Sequence, residues 1–191
     1  MNARHKGIGT IAALSALLLS LAVAACSGSE NSHEPATRTG QLRIRGEGVE
    51  RFRKPGGDNS LQGYGHEASR ADLARAARAV HGYLVAWVEE DWPSACSLGS
   101  SELHQVLERA SELSPETRGQ GCVKTIREVA SGEPPLAKTA YEATDMKAEG
   151  LRQEGNFGYL FFYLGKTAYQ QEVFREDGRW GVKAPLPSPV E

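Results

Sequence analysis

Apolar residues are spread along this chain in sharply different patterns, and each pattern predicts an element. From Ile8 to Val23 they run together without a charge, behind a short positive region made by Arg4 and Lys6. From Ser27 to about Thr39 the sequence is Ser, Gly, Glu, Asn, His, Pro and Thr with no apolar period, the composition of a disordered tether. Between residues 41 and 54, Leu42, Ile44 and Val49 alternate with charged residues, which predicts a short edge strand loosened by Gly46 and Gly48. Basic residues in this stretch could face anionic lipid head groups, but Glu47 and Glu50 dilute the charge and favour a solvated strand face. Pro55-Gly56-Gly57-Asp58 is a turn.

A helical period begins after Ser69, which with Asp72 three residues on forms a capping-box start. Leu73, Ala77, Val80, Leu84, Trp87 and Val88 follow at helical spacing, and the pattern stops near Asp91, before Pro93. A second helix is predicted from about Ser101, with Leu103, Val106, Leu107 and Ala110 on one face. Ser114-Pro115-Glu116 predicts a further start, leading to a short helix with Cys122, Ile126 and Val129. Beyond Pro135 the period falls to two. Strands are predicted at Tyr141 to Leu151, Gly158 to Leu164 and Thr167 to Arg175, with Trp180, Val182 and Ala184 in a last one. Gly158 to Leu164 is apolar enough for a central strand buried on both sides, and Asp177-Gly178 is a two-residue hairpin signal. Short links between these strands imply an antiparallel meander. The predicted fold class is therefore α+β: helices followed by an antiparallel sheet, in one domain over 58–191.

Composition narrows the function classes. A hydrophobic content of 40% and a charged content of 24% fit a globular chain, and a mean hydropathy of -0.44 excludes a multi-span membrane protein. The net charge is -2, and about -4 without residues 1–25. That balance lacks the basic excess of a nucleic-acid binder.

The order of positive region, apolar run and small residues before Cys26 is that of an export signal. Val23-Ala24-Ala25-Cys26 resembles the lipobox of bacterial lipoproteins. The resemblance implies cleavage after residue 25, lipid on the Cys26 thiol, and membrane attachment on the extracytoplasmic face. Residues 26–57 would then be a lipid-anchored tether carrying the short strand. An uncleaved transmembrane anchor, for which about 17 apolar residues is the lower limit, and an ordinary secretory signal are the alternatives. The chain has three cysteines. Acylation of Cys26 leaves Cys96 and Cys122 as a pair for an oxidising compartment.

Several short motifs resemble the nuclear transport factor 2-like superfamily, a cone-shaped α+β fold. They are His81-Gly82-Tyr83-Leu84-Val85-Ala86-Trp87 leading to Glu90-Asp91-Trp92-Pro93-Ser94-Ala95-Cys96, and Arg175-Glu176-Asp177-Gly178-Arg179-Trp180-Gly181-Val182. The first looks like the end of the first helix in exported actinobacterial members, and the second like their final hairpin. Asp58-Asn59-Ser60-Leu61-Gln62 with Gly65-His66-Glu67-Ala68 resembles the lead-in of lipoproteins of that kind. The resemblance covers about residues 58–187 and implies a curled sheet; the fold hosts enzymes and binders alike.

Isomerase-type members need a carboxylate base in an apolar pocket and a hydroxyl donor. Asp91, Glu142 and Asp145, with Tyr83, Tyr163 or Tyr169, are the residue types available, and no motif sets any of them at a catalytic position. His66, His81 and His104 lack metal-ligand spacing, so no metal or cofactor is predicted. The leading expectation is a non-enzymatic module that binds a small apolar ligand. Its pocket would be lined by Tyr83, Trp87, Tyr159, Phe161, Phe162 and Tyr163, unless these simply fill the core. The rival is a module that docks an envelope protein, for which a flat exposed patch around Tyr169 and Trp180 is the expected mark.

Overall fold

A computed structural model of the protein describes residues 40–113, 115–132 and 145–190. Cys26, the export segment, Tyr141 and Glu142 lie outside them. Among the described residues the chain forms β1 (Leu42–Ile44), β2 (His66–Glu67), α1 (Arg70–Val88), α2 (Trp92–Leu98), α3 (Ser101–Leu113) and α4 (Gly121–Ser131). The strands β3 (Met146–Glu154), β4 (Phe157–Leu164), β5 (Thr167–Glu176), β6 (Arg179–Val182) and β7 (Ser188–Pro189) follow. No described helix is long and apolar enough to cross a membrane.

The helix ends follow from local chemistry. The Ser69 hydroxyl accepts from the Asp72 N–H at 3.1 Å and donates to its carboxylate at 2.7 Å, so the capping box starts α1 where the sequence places it. At the other end the Glu90 N–H donates to the Trp87 carbonyl and the Asp91 N–H to the Ala86 carbonyl. This is a Schellman closure with Glu90, at φ 57°, in the left-handed position that glycine usually fills. Asp91 then caps α2, accepting from the Ser94 N–H at 3.1 Å, and Pro93 sits in the first turn of α2. The proline thus serves the start of a helix that the periodicity did not predict. The start expected at Pro115 is also corrected: residues 115–119 are turns and α4 begins at Gly121. Gly119 and Gly121, at φ 69° and 73°, turn the chain between the two helices.

The strands β3 to β6 pair antiparallel in sequence order, and Asp177 (φ 49°) and Gly178 (φ 77°) make the predicted hairpin turn between β5 and β6. The sheet as a whole is mixed, because β1 joins β3 in parallel, Leu42 against Met146 through Ile44 against Ala148. Among the described residues four α-helices lie between these two strands, a connection long enough for the crossover that parallel pairing needs. The resulting order is β1-β3-β4-β5-β6, with β2 on β3 and β7 on β5, and the sheet curls strongly into a half-barrel.

The main core lies between α1 and the concave side of this sheet, and its most deeply buried members include Val80, Tyr83, Ile126, Leu151, Leu160, Phe162 and Val173. Each large side chain of this kind stabilises the fold by about 1.5–3 kcal/mol relative to exposure. A second cluster forms on the opposite side of β4, where Val49, Phe52 and Phe161 are buried with Leu61, Tyr159, Tyr163, Ala168 and Val190 around them. Residues 42–52, expected within the tether, are therefore packed into the domain. The alternation of Leu42 and Ile44 gives the predicted strand β1, whereas Val49 and Phe52 beyond it are too widely spaced to show a period, yet they meet an aromatic sheet face that needs covering. Cys96 in α2 and Cys122 in α4 have sulfurs 2.05 Å apart, at disulfide distance.

Candidate functional site

Alternation along β4 separates the aromatic residues expected to share a pocket. Successive side chains of a strand point to opposite faces. Phe162 joins Tyr83 and Trp87 in the core under α1, whereas Tyr159, Phe161 and Tyr163 belong to the second cluster on the outer face. On the helix side these rings fill the interior. Tyr83 and Trp87 have centroids 5.9 Å apart, Trp87 meets Trp92 edge-on at 5.6 Å, and Phe162 stacks on Tyr169 at 5.9 Å. The Tyr83 hydroxyl donates to the Pro185 carbonyl at 2.9 Å. Of the expected patch around Trp180 and Tyr169, Tyr169 is half-buried and Trp180 is closed off. Trp180 is buried, with the Arg175 guanidinium 5.4 Å from its ring, and its indole N–H donates to Asp72 at 3.3 Å.

The outer face has two halves. Over the first, residues 45–52 form a strap. Phe52 stacks on Tyr163 at 5.0 Å and tilts against Phe161 at 5.3 Å. The Gly48 N–H donates to the Glu149 carbonyl at 2.9 Å. Glu149 stands at the bulge between Ala148 and Gly150, where an extra residue redirects its side chain. A Cβ on Gly150 would lie 2.6 Å from Val49 Cγ1, so only glycine admits the strap this close. Arg51 Nη1 pairs with Glu149 Oε1 at 3.2 Å and also with Glu47, and its guanidinium lies 5.6 Å from the Tyr163 ring centre. Glu149 is 1% exposed, and its Oε2 is buried without a hydrogen-bond partner among the described residues.

Removing Arg51 therefore strands a buried charge. Arg51→Ala is expected to cost about 2 kcal/mol, less than a fully buried pair because Arg51 is partly open to water. Adding Glu149→Gln should recover part of that loss in urea unfolding. A cost below about 0.5 kcal/mol whatever stands at 149 would count against the latch.

The second half of the outer face stays partly open. Tyr64, Phe157 and Tyr159 are half-buried and meet edge to face, with centroids 5.6, 5.1 and 4.9 Å apart and interplanar angles of 84°, 90° and 81°. Arg152 anchors the Tyr64 loop, donating to the Tyr64 and Gly65 carbonyls at 2.7 Å each. The Lys183 ammonium lies 4.3 Å from the Phe157 ring centre and 3.1 Å from Glu172 Oε2. Burial and the nearby Glu154 raise the Tyr64 hydroxyl above its ordinary pKa; burial and Glu172 do the same for Tyr159.

The acids named from sequence are engaged elsewhere. Asp91 caps α2, and hydrogen bonds from the Ser94 hydroxyl and N–H hold its carboxyl below the ordinary range. Asp145 pairs with Arg43 at 3.1 Å and accepts from the Gln41 N–H. His81 and His104 bond the Gly40 and Cys96 carbonyls, and exposed His66 lies against Gln153. Among the described residues no cluster of His, Cys, Asp and Glu could hold a metal ion. A cleft of 140 Å³ opens between Ser97–Gly99 and Glu176, Arg179, Trp180 and Gly181. Pockets for small ligands are commonly 300–1,000 Å³, so it is small for that role. Sequence reading missed Tyr64, Glu149, Glu172 and Lys183. For Glu149 one hint existed, the neighbouring Gly150 inside a predicted strand, which suggests a bulge there.

In comparisons with family models, curated proteins and solved structures, nothing matches this chain. The functional reading rests on the sequence and the geometry.

Proposed function

We propose that the protein is an exported lipoprotein, anchored through Cys26, whose nuclear transport factor 2-like domain docks an envelope protein and does no chemistry of its own. One observation carries the docking reading: the half-buried ring cluster of Tyr64, Phe157 and Tyr159, held on the outer face by Arg152 and bordered by charge. Aromatic residues with a polar rim are the usual anchors of protein interfaces. The alternative, a small apolar ligand between α1 and the sheet, loses ground because Tyr83, Trp87 and Phe162 already pack that space. Export is supported by the pairing of Cys96 with Cys122, which suits an oxidising compartment.

Photo-crosslinking in the native host tests the docking face. A photoreactive residue at Tyr64 is expected to give a discrete adduct, while one at Leu113, which is 87% exposed on α3, gives none. Identical adducts from both positions, or none from Tyr64, would overturn the assignment.

A further inference from the structure

We infer that Tyr64, Phe157, Tyr159 and Glu172 form a recognition site for a basic side chain, which Lys183 of the same chain occupies until a partner's lysine or arginine replaces it. The inference rests on the docking reading and adds the chemistry of the partner. The Lys183 ammonium is 4.3 Å from the Phe157 ring centre, within the reach of about 6 Å over which a ring face attracts a cation. Glu172 Oε2 lies 3.1 Å from the same nitrogen, so the site supplies a carboxylate and a π face together. Tyr64 and Tyr159 meet Phe157 and each other edge to face, so the three rings do not stack flat on one another.

The charge balance also favours a cation. Glu154 acts on Tyr64 and Glu172 on Tyr159, both raising the tyrosine hydroxyls, while Lys183 alone acts on Tyr64 in the opposite sense. Swinging Lys183 away leaves the Glu172 carboxylate and the Phe157 ring face without the cation that now sits on them, while Arg152 stays bonded to the Tyr64 and Gly65 carbonyls. The lysine is also easy to displace. Its side chain is 28% exposed and that of Glu172 39%, and ion pairs and cation–π contacts this close to water are weak. Its backbone is fixed by the Lys183 N–H donating to the Glu172 carbonyl at 2.9 Å, so only the four-carbon stem has to move.

The test uses fluorotyrosine-labelled full chain in detergent, with N-acetyl-lysine methylamide as probe and the norleucine analogue as uncharged control. In Lys183→Ala, the Tyr64 and Tyr159 fluorine resonances should shift saturably with the lysine probe and not with norleucine. Affinity should exceed that of the unaltered chain by on the order of fivefold, since the resident cation no longer competes. Adding Glu172→Gln should weaken it again. No saturable shift, or an equal response to norleucine, overturns the inference. Lys183→Gln carries the same test should Lys183→Ala fail to fold. If crosslinking from Tyr64 succeeds while the lysine probe fails, docking stands and the cation site falls. If the probe binds and no adduct forms, the site stands and the docking reading falls.

Discussion

Cys26→Ser is expected either to release the chain into the medium or to leave it as an uncleaved precursor. The Cys26 thiol is the group that the lipobox resemblance assigns to lipid attachment, and a serine hydroxyl cannot take its place in a thioether. Burial of acyl chains contributes roughly 0.8 kcal/mol per CH₂, and stable anchoring takes more than one chain, which a diacylglyceryl group provides. Without it, the described residues offer no membrane-spanning helix to hold the protein in place. Fractionation of cells producing each form checks the result. Normal processing with full retention of Cys26→Ser would remove the lipoprotein reading.

The second large effect concerns the bridge. Replacing both Cys96 and Cys122 by serine should destabilise the domain by about 3 kcal/mol, since the cystine closes a separation of 26 residues in the unfolded chain. For a domain of this size that corresponds to a fall of roughly 6–12 °C in Tm. The loss should concentrate in α4. That helix buries Thr125 and Ile126 and packs on α2 and α3, so the link to Cys96 is a main tie between α4 and the rest of the fold. Amide exchange in Gly121–Ser131 should rise more than in β4. Thiol labelling of denatured, unreduced protein should find neither Cys96 nor Cys122 free. An unchanged Tm in the double variant, or labelling of both cysteines, would refute the pairing.

Legibility in the sequence followed the range of the forces involved. The start of α1, the hairpin at Asp177-Gly178 and the central place of β4 in the sheet were readable, because capping, turn chemistry and apolar density act over a few residues. The end of α1 was readable to within a few residues, but its closure was not, since the left-handed closing residue is Glu90 where a glycine would have announced it. The parallel partner of β3 was invisible because Leu42–Ile44 and Met146–Ala148 are joined only in space. The candidate site suffered most. Phe161 and Phe162 are neighbours in sequence, and only the pleat sends one to the core and the other to the outer face. Tyr64 and Lys183 carry no local signal at all; a loop and a strand end bring them to the same ring.

The way the strap is seated also sets how the domain answers a mechanical load. If the lipid holds residue 26, any tug between membrane and partner enters the fold near Gly40, whose carbonyl is bonded to His81 at 2.8 Å. The three-residue ladder of β1 on β3 would bear it next, and the Arg51–Glu149 latch would come last. These elements would act as a fuse in series with the anchor. Under tension the strap would peel first, baring Phe161 and Tyr163, while α1 and the antiparallel strands stayed intact.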